Sequence, residues 1–577
     1  MLVLGINHSN DAAACIVSDG AILGGAQEER FSRIKHDSSF PTRAVDFCLK
    51  RAGAKLEDVD AVGFFWNPGI HAQTFNRRMS GQFRHHLEYL YNVPNHLLRA
   101  WPEDRVAGLE QTIRMKSGRK LTIHYVTHHL AHAASALFGS PFEEAALLTV
   151  DGYGERASTH IAVGRGLEIE TLHTIEFPHS VGSLYAAFTE YLGFKANSDE
   201  GKVMGLGAYG QPRYADVVRE MIWPTDDGYR MDLGYFAYFH ESPRRVSDRL
   251  IARLGPPRVP ESALDQRHYD LAASLQLVTE EILLHLVALT KKMTGMRNLA
   301  MAGGVALNCV ANGRMVNESG FERYFFQPAA SDAGTSLGAA LWVTHGIHRV
   351  PRKMVEAVDT LGVEFSAAEI KRELDKAALD YVELQDAPAV AARLVSEGHI
   401  IGWFQGRAEF GPRALGNRSI VADPRKAEMK DILNKRVKFR EPFRPFAPSV
   451  LAERTGELFT PGKESPFMLR AYRTRDDKRD VVPAITHEDG TARVQTVTRT
   501  ANPLYHRLIE EFGKITGVPC VLNTSFNIRG EPIVNTVADA LKCFFTTDMD
   551  ALFLGPYALA RKAPMMAWLR EQSVSPG

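Results

Sequence analysis

An uninterrupted apolar run over residues 2–7, Leu-Val-Leu-Gly-Ile-Asn, predicts a buried strand. A polar turn follows, His8-Ser9-Asn10-Asp11, and residues 12–20 and 21–29 then read as two more strands joined at the Asp19-Gly20 turn signal. The same pattern returns further on. Residues 146–152 (ALLTVDG) form an apolar run ending in an acid, Asp151, and residues 158–166 and 167–177 continue it as two strands. Two such meanders, each with an acid in the turn after its first strand, predict a duplicated, two-lobed domain with a ligand cleft between the lobes.

Helical spacing of apolar positions predicts a long helix over residues 268–293. Residues 298–308 (NLAMAGGVALN) read as a strand running into glycines and a helix start, and in residues 331–342 (SDAGTSLGAALW) Ser331 and Asp332 precede another helix. Residues 350–365 look like a linker. Beyond it lie a helix at AAEIKRELD and a strand at HIIGWFQG. The fold class expected is α/β in two domains, 1–354 and 355–577, in keeping with a length too great for one core.

Charge and cysteine usage narrow the function. Lys+Arg and Asp+Glu are both 68, without the basic excess of a protein that holds long nucleic acid, so a small-molecule substrate is expected and nucleic acid is not. The five cysteines are scattered and form no CxxC pair, as suits a reducing cytoplasm. We read no apolar run as reaching the roughly 18 residues that span a bilayer, and no basic stretch precedes the first strand, so neither a membrane span nor a signal peptide is expected.

His128 and His132 stand four apart in helix-compatible sequence and so share one helix face, a spacing that suits two imidazoles on one metal ion. Asp151 would close a third position and Asp332 a fourth. A His2Asp2 set fits non-haem iron or zinc and is too soft for magnesium alone. A helix cap or satisfied polar cluster is the alternative. His129 faces elsewhere and reads as structural.

Gly303-Gly304 allow close backbone approach to a nucleotide or sugar, with Asn308 just beyond as a hydrogen-bonding group, although such a pair also serves helix–strand packing. Gly205, Gly207 and Gly334 are of the same class, and Lys202 beside Asp199 and Glu200 reads equally as a salt-bridged surface residue. In Glu28-Glu29-Arg30-Phe31-Ser32-Arg33-Ile34-Lys35-His36, Lys35 and His36 are candidate donors to a phosphate or carbonyl oxygen, against the alternative of a solvated charge run.

From Arg407 to Arg444 there are eleven Lys/Arg against five acids, in a chain of zero net charge. Several stand beside Gly, Pro and Phe, in EFGPRALGNRS and REPFRPFAPS, which suits cations gripping phosphates rather than loose surface charge. His487, Arg493 and, just after a predicted strand, Asn523, Thr524, Ser525, Asn527 and Arg529 extend this candidate phosphate or carbamoyl site. A cationic RNA-binding face is the alternative.

HHLAHAASA, KVMGLGAYG, GGVALN, SDAGTSLGAA, GRAEFGPRALGNRSI, VKFREPFRPFAPSV, DGTARVQTV and LNTSFNIRGEPIV together, in order and over nearly the whole chain, resemble the carbamoyltransferases of nodulation-factor and antibiotic biosynthesis, the NodU/CmcH family that includes tobramycin carbamoyltransferase. The resemblance implies an N-terminal Kae1-like domain (actin-like ASKHA, two-lobed) and a C-terminal YrdC-like twisted α/β domain. It implies that carbamoyl phosphate and ATP are joined into carbamoyl adenylate, whose carbamoyl group then passes to a hydroxyl of a small natural product. Arg413, Arg418, Lys438, Arg444, Arg493, Asn523, Ser525 and Arg529 would hold ATP and carbamoyl phosphate. Lys35, His36, Asp151, Gly152, Gly304 and Asn308 would hold carbamoyl adenylate, and His128, His132, Asp151 and Asp332 would bind Fe(II), with zinc or another divalent ion as the alternative and magnesium as companion to ATP.

One departure concerns the catalytic set His8, Asn10, Asp11, Lys35 and His36. Family members often carry His where this chain has Asn10, and Asn is a poor general base, so either His8 substitutes, or Asp11 does more of the work, or the acceptor is positioned differently. The acceptor expected is a macrocycle, glycoside or aminoglycoside, with the aromatic and basic segment 64–105 expected to line its pocket against the alternative of a packing insert; oligomeric state is not readable. Two other readings, a tRNA threonylcarbamoyl-type transferase and a non-catalytic nucleotide-binding module, are carried alongside.

Overall fold

A computed structural model describes residues 1–67, 108–241, 244–354 and 357–573. The chain forms two compact units, one of residues 1–28 and 36–355, the other of residues 29–35 and 356–577.

The first unit holds two sheets built to one plan. In the first, β1 (Leu2–Asn7), β2 (Ala13–Ser18) and β3 (Ala21–Gln27) form an antiparallel meander, and β1 continues on its other side into parallel β4 (Ala61–Phe64). With β5 (Glu110–Arg114) and β6 (Lys120–Tyr125) the order is β3-β2-β1-β4-β6-β5. In the second, β7 (Glu144–Val150), β8 (Ala157–Arg165) and β9 (Glu168–Glu176) repeat the meander. A small hairpin, β10 (Ile222–Thr225) and β11 (Gly228–Met231), intervenes before β12 (Asn298–Ala302) and β13 (Arg323–Phe326), which extend β7 in parallel to give β13-β12-β7-β8-β9. Both first strands are continuous apolar runs because helices cover their faces.

The helices Ala333–Leu341 and His128–Gly139 lie unusually close to their neighbours. A side chain at Gly5 would fall 1.9 Å from the Ser336 carbonyl oxygen, and one at Gly338 1.7 Å from that of Ala131. Glycine at these positions lets the backbones touch, and so fixes where the N-terminus of each helix lies. The long helix Gln266–Thr294 corrects one expectation, since its length and composition would allow it to cross a membrane; 67% of its most apolar stretch is buried, and residues such as Leu271, Leu275 and Leu283 make it a core helix here.

The second unit is organised on a ten-stranded mixed sheet. Its strands are β14 (Val382–Glu383), β15 (Ile401–Phe404), β16 (Arg418–Ala422), β17 (Ala447–Leu451), β18 (Phe459–Thr460), β19 (Arg470–Thr474), β20 (Thr491–Val497), β21 (Cys520–Ser525), β22 (Ala551–Leu554) and β23 (Tyr557–Ala560). They run in the order β14-β23-β22-β15-β16-β21-β17-β20-β19-β18. Helices Ala387–Ser396, Pro503–Thr516 and Val537–Thr546 help to cover it, over a core that includes Trp403, Phe404, Tyr505 and Phe512. The segment 29–35 belongs here rather than to the unit around it in sequence. Arg30 is buried and donates to the Gly411 carbonyl at 2.7 Å, and Arg33 donates to the carbonyls of Ile533 and Pro532 at 2.7 and 2.8 Å. Arg30 and Arg33 are thus anchored by backbone carbonyls, while Lys35 at the end of the segment is exposed.

Gly338→Ala is expected to lower the stability of the first unit by at least about 1–3 kcal/mol, the cost of forcing extra atoms into a packed core, read as the shift in a denaturation midpoint. Gly201→Ala, in a helix where an added Cβ meets nothing within 4 Å, is the control and should hold or raise the midpoint.

Candidate functional site

Three turns bring the predicted ligands together in the first unit. Helix His128–Gly139 presents His128 and His132 from one face, Asp151 follows β7, and Asp332 stands at the start of helix Ala333–Leu341. One donor atom from each of the four lies within 4.8 Å of all the others. The His128 and His132 Nε2 atoms are 3.2 Å apart; Asp151 Oδ2 is 3.2 and 2.8 Å from them, and Asp332 Oδ1 3.7 and 3.8 Å. Bonds of about 2.0–2.2 Å to a tetrahedral ion put its ligand atoms roughly 3.3–3.6 Å apart, so the set fits one ion. The electrostatics agree. Burial opposes a charge on His132, but hydrogen bonds to Asp151 and Asp332 and their charges outweigh it and raise its pKa to about 9. Asp151, which burial alone would raise, is held well below the usual carboxylate range by His128 and His132. Binding a cation among these donors would displace protons from the ligating groups. His129 is apart from this, its Nδ1 2.6 Å from Thr149 Oγ1 and its Nε2 3.0 Å from the Ala157 carbonyl, and burial pushes its pKa well down.

The loop after β7 is assigned residue by residue. Asp151 accepts from the Gly152 N–H at 2.6 Å, and a Cβ on Gly152 would meet nothing within 4 Å among the described residues. Gly154 lies against His128 and His129, where a Cβ would be 3.1 and 3.0 Å from their atoms. Glu155, which the sequence did not single out, is buried and accepts from the N–H of His128 at 3.1 Å and of Asn67 at 2.6 Å. It supplies the N-terminal cap that Thr127 does not make, and its burial raises its pKa. Gly304 flanks the other side of Asp151, 3.2 Å from Oδ1 to a built Cβ.

The catalytic candidates separate. Asp11 Oδ1 meets His36 Nδ1 at 2.8 Å. Asn7, also missed from sequence, donates from one Nδ2 to the carbonyls of Asp11 at 2.9 Å and Asp332 at 2.8 Å, tying this pair to the metal-ligand turn. His8 and Asn10 are exposed, the His8 ring centroid 5.8 Å from that of Phe40 in an edge-to-face arrangement. Lys35 is in the second unit, its neighbour His36 in the first. Asn308 caps its helix by accepting from Ala311 and exchanges hydrogen bonds with Gln276, so its carboxamide already serves the fold. Lys202 pairs with Asp199 at 3.1 Å. Of segment 64–105, residues 68–105 lie outside the described residues.

In the second unit the arginines of one motif divide into two kinds. Glu409 accepts from the N–H groups of Leu415, Asn417 and Arg418 at 2.7–3.2 Å, shaping the loop that carries half-buried Arg413. Arg418 is fully buried, donates from both Nη atoms to four backbone carbonyls of flanking loops and stacks 3.7 Å over Phe404, so, against the expectation of a phosphate contact, the structure sets it in the interior of the unit. Burial lowers its pKa to about 10. Asn523 is corrected likewise, being buried and donating to Ala414, Ser449 and Gln495.

Lys438 is buried with its Nζ 2.7 Å from the Ser525 carbonyl, 3.3 Å from Ser525 Oγ and 2.7 Å from Asn527 Oδ1. Burial holds its pKa well below the usual lysine value, and the charges of Arg440, Arg444 and Lys35 push it further down. Arg440, absent from the sequence-derived set, sits over Phe446; burial, then Arg444 and Arg493, bring it to about 9. Glu441 lies 3.8 Å from Arg444 and 3.5 Å from exposed Arg529.

Two family profiles match the chain: "Carbamoyltransferase N-terminus" over residues 2–341 and "Carbamoyltransferase C-terminus" over residues 392–561. An uncharacterised protein of Synechocystis sp. is 41% identical, with 97% of each chain covered. The nodulation protein NolNO of Sinorhizobium fredii is 40% identical over 96% of this chain and 79% of its own. The 3'-hydroxymethylcephem-O-carbamoyltransferase of Streptomyces clavuligerus is 26% identical over 94% of this chain and 96% of its own.

Two outcomes test this geometry. Purified protein should bind one divalent ion per chain, and His128→Ala or Asp151→Ala should weaken that affinity by more than the roughly 10–100-fold typical of an outer-sphere partner, measured by metal titration and elemental analysis. Glu155→Ala should lower thermal stability by at least about 1–3 kcal/mol, because two buried N–H groups lose their acceptor, while Glu155→Gln, which keeps a carbonyl oxygen there, should lose less.

Proposed function

The chain belongs to the carbamoyltransferase family, and from that premise we propose that it makes carbamoyl adenylate from carbamoyl phosphate and ATP and passes the carbamoyl group to a hydroxyl of a small natural product. The observation that carries the reading is the buried cation set of the second unit. Lys438 and Arg440 are held below their ordinary pKa values by burial and by like charges. A polyanion arriving among Lys438, Arg440, Arg444 and Arg493 removes that repulsion, so triphosphate binding is strongly favoured where an isolated surface cation would contribute little.

Activation proceeds there in two steps. Water cleaves carbamoyl phosphate to carbamate and phosphate; a carbamate oxygen attacks the α-phosphorus of ATP; the bond to the bridging oxygen breaks and pyrophosphate leaves. Arg413, Arg444 and Arg493 neutralise charge on the phosphates, while Ser525, with Lys438 behind it, orients the carbamoyl portion. Lys35, exposed in the same unit, joins this set rather than the metal site.

Transfer is assigned to the first unit, whose repeated strand order supports a Kae1-like, actin-like reading, with the second unit as the YrdC-like partner. There the acceptor oxygen attacks the carbamoyl carbon, the bond to the phosphate oxygen breaks, and AMP leaves. His36 takes the hydroxyl proton at Nε2 while Asp11 orients it through Nδ1, which removes the need for a histidine at Asn10. Gly152 and Gly304 leave room beside Asp151 for the reacting group. An ion held by His128, His132, Asp151 and Asp332, with Fe(II) preferred on the nitrogen–oxygen donor set, would supply Lewis-acid polarisation. The acceptor is a macrocycle, glycoside or aminoglycoside alcohol; the cephem and nodulation relatives support a small-molecule acceptor.

The protein, given carbamoyl phosphate and ATP, should release pyrophosphate. Lys438→Ala and Arg444→Ala should each slow that release by about 10²-fold or more, the scale of losing one preorganised charge-stabilising donor. His36→Ala should leave it intact and abolish the carbamoyl mass gain on an alcohol. Unchanged pyrophosphate release in both cation variants would overturn the reading.

A further inference from the structure

His487 lies beside the cations of the second unit, and the activation steps above make no use of it. It begins the tight turn that leads into β20. Its N–H donates to the Thr491 carbonyl at 2.7 Å, and the Gly490 N–H donates back to the His487 carbonyl at 2.9 Å. Asp489 Oδ1 accepts from the Thr491 N–H at 2.9 Å and from the Thr491 hydroxyl at 2.7 Å. The backbone and Asp489 therefore close the turn without help from the imidazole. Thr491 Oγ1 lies 3.3 Å from His487 Nδ1, and its one proton is already given to Asp489, so toward the ring it only accepts. Nδ1 consequently carries the ring proton and Nε2 a lone pair. Nε2 is buried and has no hydrogen-bond partner among the described residues, a rare state for a buried polar atom.

The surroundings of the ring give that lone pair a use. Thr491 and Arg493 are two apart on β20 and so share one face of the strand. Phe446, whose ring carries the Arg440 guanidinium at 4.4 Å, is a backbone neighbour of the imidazole. Burial lowers the His487 pKa, with Asp489 opposing and Arg493 and Lys430 adding to the effect, so the ring is neutral. A neutral imidazole held in one tautomer beside phosphate-binding arginines has the attributes of a general base. Cleavage of carbamoyl phosphate needs such a group, because water is a weak nucleophile. We propose that His487 is the general base for that cleavage and that Thr491 is the positioning residue that fixes its tautomer. Nε2 takes a proton from water, the water oxygen bonds to phosphorus, and the bond from phosphorus to the carbamoyl oxygen breaks, so that carbamate leaves with the electron pair. The hydrogen phosphate formed takes the proton back from the imidazolium and departs as dihydrogen phosphate. Arg493 neutralises charge on the phosphoryl oxygens during the attack. This rests on the adenylate-forming reading above and adds to it the group that releases the carbamate.

Two routes to pyrophosphate separate this role from a structural one. The full-length protein, with ATP, is given either carbamoyl phosphate or ammonium carbamate, which enters after the cleavage. His487→Ala should slow pyrophosphate release from carbamoyl phosphate by about 10²-fold or more, the scale of a lost general base, and leave release from carbamate unchanged. Thr491→Val, which keeps the shape and strand preference of threonine, should lower the carbamoyl phosphate route by less and spare the carbamate route. In water labelled with heavy oxygen, the inorganic phosphate should carry the label. Equal loss on both routes in His487→Ala, no loss on either, or phosphate without label would overturn the proposal while pyrophosphate release by the unsubstituted protein keeps the adenylate reading. Phosphate release from carbamoyl phosphate that needs His487, with no pyrophosphate by either route, would instead overturn the adenylate reading and leave the base assignment standing.

Discussion

The first unit depends on how closely two helices can approach. Ala333–Leu341 rides against His128–Gly139 with Gly338 over the Ala131 carbonyl and against β1 with Gly5 under that of Ser336. These backbones meet without side chains between them, which places the start of each helix to within the tolerance that a four-donor cluster needs. A methyl group there would push apart Asp332 and the two histidines, which come from points nearly two hundred residues apart in sequence. Fold and site are here one constraint, and the duplicated strand order supplies the two surfaces that the helices bridge.

The second unit solves a different problem. It keeps cations close together, and structure is devoted to holding them. Lys438 is tethered by Ser525 and Asn527, Arg440 rests on Phe446, and the loop bearing Arg413 is wound around the Glu409 carboxylate. Such pre-ordered charge is worth more inside a protein than in water, because nothing has to reorganise when the anion arrives.

Much of this was legible in the chain, for identifiable reasons. The meanders showed themselves through runs bounded by turn residues, and the cluster of His128, His132, Asp151 and Asp332 through a spacing of four on a helix and acids placed after strands. Where the reading failed, the same residue type served two ends. Arg413 and Arg418 stand in one motif, but Arg418 begins a central strand and points into the sheet, while Arg413 lies on the loop before it. Asn523 and Ser525 share β21, yet only the strand's end is open. Glu155 and Asn7 gave no signal at all, because a carboxylate that caps a helix and an amide that ties two turns act through backbone groups, whose positions exist only once the chain has folded.

The short stretch Glu29–Lys35 has a consequence for dissecting the molecule. It is embedded in the sequence of one unit and packed in the other, where Arg30 and Arg33 satisfy the carbonyls of Gly411, Pro532 and Ile533. Cleaving the polypeptide at the junction near residue 355 therefore does not yield two self-sufficient halves. The downstream fragment would lack a strap that it needs, and the upstream fragment would carry one with nowhere to dock. Recombining parts from related proteins faces the same bookkeeping: any exchange of the back half must bring with it seven residues from the front.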